Sequence, residues 1–202
     1  MTSAFTVVPT PDDGVRLSAH RLWDEAERPT GPPLDPARTY PPRDLASGQQ
    51  LVDIHNHLRS ELTEIRALVG QVVDGSGDPG QVRSAIAEMT LRQNSWTVGA
   101  YCAAYCRMLT THHTIEDQAM FPRLRQSDPR VSEVVDRLEV EHTVIHGVLE
   151  DLDRALVGFV GPEGDGTALT HAVDVLTDTL LSHLSYEERE LVEPLARLRI
   201  LV

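Results

Sequence analysis

From Leu45 onward the apolar residues return at intervals of three and four, the spacing of one buried face of a helix. Leu51, Ile54, Leu58, Leu62, Ile65 and Val69 define a first helix, which the turn-forming run from Asp74 to Gly80 ends. Residues 81–89 predict a turn or two of helix. A second long helix follows from about 95 to 125, with a face of Val98, Tyr101 or Cys102, Tyr105, Leu109, Ile115 or Glu116, and Ala119. Asp128-Pro129 reads as a cap with proline at the first helical position. The third helix carries Val131, Val135, Leu138, Ile145, Leu149, Leu152 and Leu156. A loop from Gly158 to Gly166 leads to a fourth helix near Thr167, marked by Leu169, Val173, Leu176, Leu180, Leu184 and Leu191.

No β-alternating run of useful length competes. Each helix is about 40 Å long or more at ~1.5 Å per residue. Short connections favour antiparallel neighbours, so the expected fold is all-α: an antiparallel up-down-up-down four-helix bundle over residues 46–200. Residues 1–45 differ. They hold eight of the 13 prolines, and proline fixes φ and removes a donor. This segment predicts a proline-rich extended N-terminal arm with at most a short turn around Arg21–Glu27. Val15, Leu17, Leu22 and Trp23 suggest that part of the arm docks, and it is a candidate contact for a homo-oligomer.

Charge narrows the function classes. Eighteen Lys and Arg against 31 Asp and Glu give a net −13 over 202 residues. Phosphate binding needs clustered positive charge, so no nucleic-acid partner is expected, and anionic membrane surfaces are disfavoured by the same sign. No run approaches the ~20 apolar residues of a bilayer span. The N-terminus lacks the basic stretch of a secretory signal, which makes a cytoplasmic location the expectation. Cys102 and Cys106, four apart on one helix, are poorly placed for a disulfide.

The nine histidines are the unusual feature. His55 falls between Leu51 and Leu58, and His112 is three residues beyond Leu109. His142 follows Leu138 by four, His146 precedes Leu149 by three, and His183 follows Leu180 by three. Each helix therefore places an imidazole on its apolar face, whereas His57 sits on a wet one. Unpartnered buried imidazoles cost desolvation free energy, so five on the apolar faces of one bundle point to a shared ligand. Carboxylates accompany them. Glu116 lies one turn after His112, and Glu187 and Glu188 lie four and five residues after His183. The run from Glu116 to Pro122 is echoed by Glu188 to Pro194, which favours Glu188, while Glu187 has the simpler one-turn spacing. Nitrogen and carboxylate oxygen without thiolate suit non-haem iron, with manganese or zinc as alternatives. Seven side chains exceed the needs of a tetrahedral zinc site and fit two metal ions.

The segments 54–59 (IHNHLR), 112–122 (HHTIEDQAMFP), 141–146 (EHTVIH) and 183–188 (HLSYEE) resemble, in this order and spacing, the hemerythrin-like (HHE cation-binding) family. The resemblance implies a four-helix bundle holding an oxo- or hydroxo-bridged di-iron centre. It implies as metal ligands His55, His112, Glu116, His142, His146, His183 and one of Glu187 and Glu188. Hemerythrins proper carry Asp at the fifth position after the fourth-helix histidine; Glu188 stands there in this chain. A ferritin-like site would want two Glu-x-x-His pairs, and Glu139 with His142 is the only such pair.

Three function classes follow. The first is a di-iron protein that binds O₂ or its reduced forms as carrier, sensor or store. The second is a di-iron enzyme that removes peroxide or oxidises a reduced small molecule. The third is a metal-free helical interaction module using the arm.

Overall fold

The computed structural model describes residues 7–33, 38–74, 98–159 and 166–200, with side chains from residue 104 onward in the third stretch. Every regular element among them is helical. Helix α1 spans Pro42–Val73, α2 Val98–Ile115, α3 Phe121–Ser127, α4 Ser132–Phe159 and α5 Gly166–Leu198. One turn of π-helix, Glu116–Met120, joins α2 to α3 without a break, so the two form one rod. Four rods result. The predicted turn at 81–89 lies outside the described residues, as does the start of the second rod before Val98.

Helix α1 starts three residues earlier than the apolar period suggests, because Pro42 occupies a first-turn position where its missing N–H costs nothing. Asp128 ends the second rod and caps the next, its side chain accepting the Arg130 N–H. The rods close into a ring: α1 packs along α5, α5 along α4, and α2 against both α4 and α1. At one point α1 and α5 approach so closely that a Cβ on Gly48 would lie 3.1 Å from the Val192 carbonyl oxygen.

The two larger apolar clusters of the core lie on either side of a polar layer, and a third, smaller one of Val7, Leu45, Val52, Val192 and Ala196 lies between α1 and α5. One of the larger clusters contains Leu58, Leu62, Leu109, Ile145, Leu180 and Leu184. The other contains Leu51, Met120, Phe121, Leu138 and Leu191. Where the two sets meet, each rod buries histidines or acids, His55, His112, His113, Glu116, Glu141, His142, His183, Glu187 and Glu188, so a polar layer crosses the bundle between two greasy ones.

The segment before α1 contains one short 3-10 turn, Glu25–Glu27. It lies against α5. Leu17 and Ser18 donate their backbone N–H groups to Asp178, Thr10 to Glu188 and Gly31 to Glu190, while the Tyr186 hydroxyl donates to the Pro29 carbonyl. Leu22 and Trp23 pack on the first apolar cluster, whereas Val15 and Leu17 stay exposed. Attachment thus rests largely on backbone amides meeting acids.

Replacing Gly48 with valine should force α1 away from the Val192 backbone and destabilise the protein by about 1–3 kcal/mol. Denaturant unfolding measures this; an unchanged midpoint contradicts the close approach.

Candidate metal centre

The polar layer is assembled from all four rods. Three inward-facing groups from α2 and the π turn enter it together: His112, His113 and Glu116, all buried. Neighbouring residues on a helix point about 100° apart, so His112 and His113 can both face inward only where the rod is flanked by neighbours on two sides. Helix α2 is so placed, between α1 and α4. The π turn then inserts an extra residue into the register, which aims Met120 and Phe121 rather than Ala119 at the core.

Two groups of donor atoms lie side by side. His55, His112, Glu116 and Glu187 form one, and His113, His142 and His183 the other, with the donor atoms of each group within 4.8 Å of one another. The carboxylates link the groups. Glu116 places Oε1 3.2 Å from His112 Nε2 and Oε2 3.7 Å from His142 Nε2. Glu187 Oε2 is 3.6 Å from Nε2 of both His55 and His183. Nε2 of His55 and His112 are 3.1 Å apart.

The inward atoms lack partners. Nε2 of His113, His142 and His183, and both carboxylate oxygens of Glu116 and of Glu187, are buried without a hydrogen bond. Each such orphan costs about 1–3 kcal/mol. Their convergence on one buried spot fits a cation, and their chemistry, imidazole nitrogen and carboxylate oxygen, fits a first-row transition metal.

The outward ring nitrogens, by contrast, are held. His55 Nδ1 lies 3.0 Å from Glu188, His142 Nδ1 2.8 Å from Asp117 and His183 Nδ1 3.1 Å from Glu141. Each ring donates its Nδ1–H to a carboxylate, which leaves the Nε2 lone pair facing inward and raises its basicity. The carboxylates are themselves anchored. Glu188 accepts from Arg59 at 2.7 Å and from the Thr10 N–H at 2.6 Å. Glu141 accepts from Arg28 and Arg137, each at 2.8 Å.

These surroundings set the protonation states. Burial, then neighbouring imidazoles, lowers His112 to about 2 and His113 well below its ordinary value. Burial lowers His55 and takes His183 to about 4 despite Glu141. Burial and the mutual repulsion of acidic neighbours raise both Glu116 and Glu187. Burial alone would raise Glu141, but the hydrogen bonds from His183 and Arg28 hold it at about 2. The rings of His55, His112, His113 and His183 are therefore neutral, and the outer acid Glu141 is ionised.

Of the residues expected from sequence, His55, His112, Glu116, His142, His183 and Glu187 meet in the layer. His146 does not. Its side chain is 61% exposed, 3.6 Å from Glu150, because Ile145 and Leu149 are the residues of that turn that face the core. His113 stands in the layer instead. Glu188, favoured by the sequence echo, turns sideways to His55 Nδ1, and the one-turn spacing after His183 belongs to Glu187. The outer acids Glu141 and Asp117 hold His183 and His142 from outside. Position could have suggested both, since Glu141 adjoins His142 and Asp117 adjoins Glu116. Tyr105 directs its hydroxyl to the Leu58 carbonyl, 3.4 Å away.

Residues 48–195 match the Hemerythrin HHE cation binding domain, and the chain belongs to that family. No curated protein and no solved structure gives a significant match. A metal-ion-binding helical protein is the class that the fold and this layer define. No helix among the described residues is long and apolar enough to cross a membrane.

The shifts have opposite consequences for pH. Neutral buried histidines lose stability as pH falls below 6.5, where the unfolded chain takes up protons that the fold refuses. Acids with raised values lose stability as pH rises above 4.5, where only the unfolded chain ionises freely. The metal-free protein should therefore have its highest thermal midpoint between pH 4.5 and 6.5. Added divalent metal should move that maximum upward, because bound ligands must be deprotonated. Melting curves over a pH series, with and without metal, measure both.

Proposed function

We propose that this chain is a non-haem di-iron protein that binds O₂ or its reduced forms, acting as an oxygen or iron binder, sensor or store. The observation that carries this reading is the linkage of two nitrogen-rich groups by two carboxylates, Glu116 and Glu187, each within reach of both. In this reading His55 and His112 would hold one iron and His113, His142 and His183 the other, with Glu116 and Glu187 within reach of both groups. The bundle has the up-down-up-down arrangement with its proline-rich arm laid alongside. A reduced iron pair would supply electrons to a bound O₂.

The chain's own residues supply the setting. Glu188, Asp117 and Glu141 orient three imidazoles. The apolar clusters above and below exclude water, with Phe121 stacked on His142 at 5.5 Å between centroids. A dry lining disfavours proton delivery to the ligand. That supports binding of O₂ over turnover of peroxide. The two-His group supplies fewer protein nitrogens than the three-His group.

Full-length protein reconstituted with ferrous iron under argon should hold two irons per chain and gain near-ultraviolet ferric absorption in air. Reversible spectral change on cycling O₂ marks binding; sustained consumption of O₂ or peroxide marks an enzyme instead. His113→Ala and Glu116→Ala should each lose most of the iron and lower the melting temperature of the iron-loaded protein. His146→Ala should keep both irons. Metal content by elemental analysis decides the matter, and a wild-type chain without iron refutes the reading.

A further inference from the structure

We infer that Arg28, on the segment preceding α1, is a positioning residue for the metal centre, acting through Glu141 on the ring of His183. The inference rests on the reading of the polar layer as an iron site and extends it beyond the bundle. Arg28 lies 113 residues from Glu141, in a stretch with little regular structure, yet its side chain is only 5% exposed.

Its guanidinium is fixed on every side. Nε donates to Glu141 Oε1 and Nη2 to Oε2, both at 2.8 Å, forming a planar two-point fork. Nη1 donates to Ser182 Oγ at 2.9 Å and approaches the Ser182 carbonyl at 3.3 Å. Ser182 is the residue next to His183. The Tyr186 ring lies 4.6 Å from the guanidinium carbon and the Trp23 ring 5.3 Å, holding it between two aromatic faces.

The division of labour between the two arginines is what singles out Arg28. Arg137, on the same helix as Glu141, binds Oε1 alone, and its Nη2 has no partner. His183 Nδ1 meets Oε2, the oxygen that Arg28 Nη2 holds. Without Arg28 the carboxylate keeps one anchor on the wrong oxygen and can rotate about it. The His183 ring then loses its fixed direction. Direct partners of a ligating histidine, as Glu141 would be, typically change affinity 10- to 100-fold, and Arg28 acts through that partner.

The test uses full-length, iron-loaded protein, with release to a ferrous chelator, the near-ultraviolet spectrum and the melting temperature of the metal-free form as readouts. Arg28→Ala should release iron roughly 10- to 100-fold faster than wild type and alter the ferric absorption. Arg28→Lys, which offers a point charge instead of a fork, should rescue only part of the loss. In a Glu141→Gln background, Arg28→Ala should add nothing further, because the pathway is already cut. If Arg28→Ala does not fold, the Arg28→Lys pair with and without Glu141→Gln makes the same comparison at smaller amplitude. A variant that melts earlier without iron but releases iron at the wild-type rate overturns the inference, since it gives Arg28 a purely structural role. Additive effects of the Arg28 and Glu141 substitutions overturn it as well. With iron bound normally by wild type, either result leaves the metal reading standing; a wild-type chain that takes up no iron removes both.

Discussion

Hydrogen bonds from the outward faces of three imidazoles to ionised or half-buried acids are the constraint on which this protein turns. A histidine on a bundle's apolar face can rotate about two bonds and could present either nitrogen inward. Glu188, Asp117 and Glu141 remove that freedom for His55, His142 and His183 by occupying Nδ1. Three Nε2 lone pairs are thereby aimed at one region before any ligand arrives. The order is preorganised: Glu188 is tied to Arg59, and Glu141 to Arg137 and Arg28, rather than to the layer itself.

Helix α5 bears much of this burden. Within six residues it offers His183 inward, Tyr186 to the arm, Glu187 inward and Glu188 sideways. Two adjacent glutamates take opposed roles because consecutive positions point about 100° apart. One enters the layer without a hydrogen bond, and the other backs a histidine on α1. The same helix accepts the arm's amides at Asp178, Glu188 and Glu190. Its acids therefore face three ways: to the centre, to a neighbouring rod and to the preceding segment. This accounts for part of the net negative charge without invoking a basic partner.

The rods were legible in the sequence because leucine, isoleucine and valine mark one face at helical spacing. The same periodicity placed His55, His112, Glu116, His142 and His183 inward. It could not give the rotation of a rod about its axis to better than one residue. That residual angle decides between His113 and His146, and between Glu187 and Glu188. A wide inward face on α2 accepts two consecutive histidines, whereas α4 spends the equivalent turn on Ile145 and Leu149. The π turn was also invisible, since it changes register without changing composition. Arg28 carried no signal at all: the arm has no period, and a bond spanning 113 residues leaves no local trace.

The separation of the two larger apolar clusters follows from the same layer and bears on what the site can admit. Apolar residues of the two clusters bracket the histidines on each rod, Leu51 and Leu58 on α1, Leu109 and Met120 on the second rod, Leu138 and Ile145 on α4, Leu180 and Leu191 on α5. Bulk water entering along the bundle axis would have to displace close-packed side chains. Charge placed between such walls interacts more strongly than in solvent, so the acids that remain ionised must be paired. Glu141 and Glu188 are, through arginines at the edge of the layer. Glu116 and Glu187 are not, and their raised proton affinity expresses that imbalance. A cation held by them would restore charge balance in a way that no side chain of the described structure does.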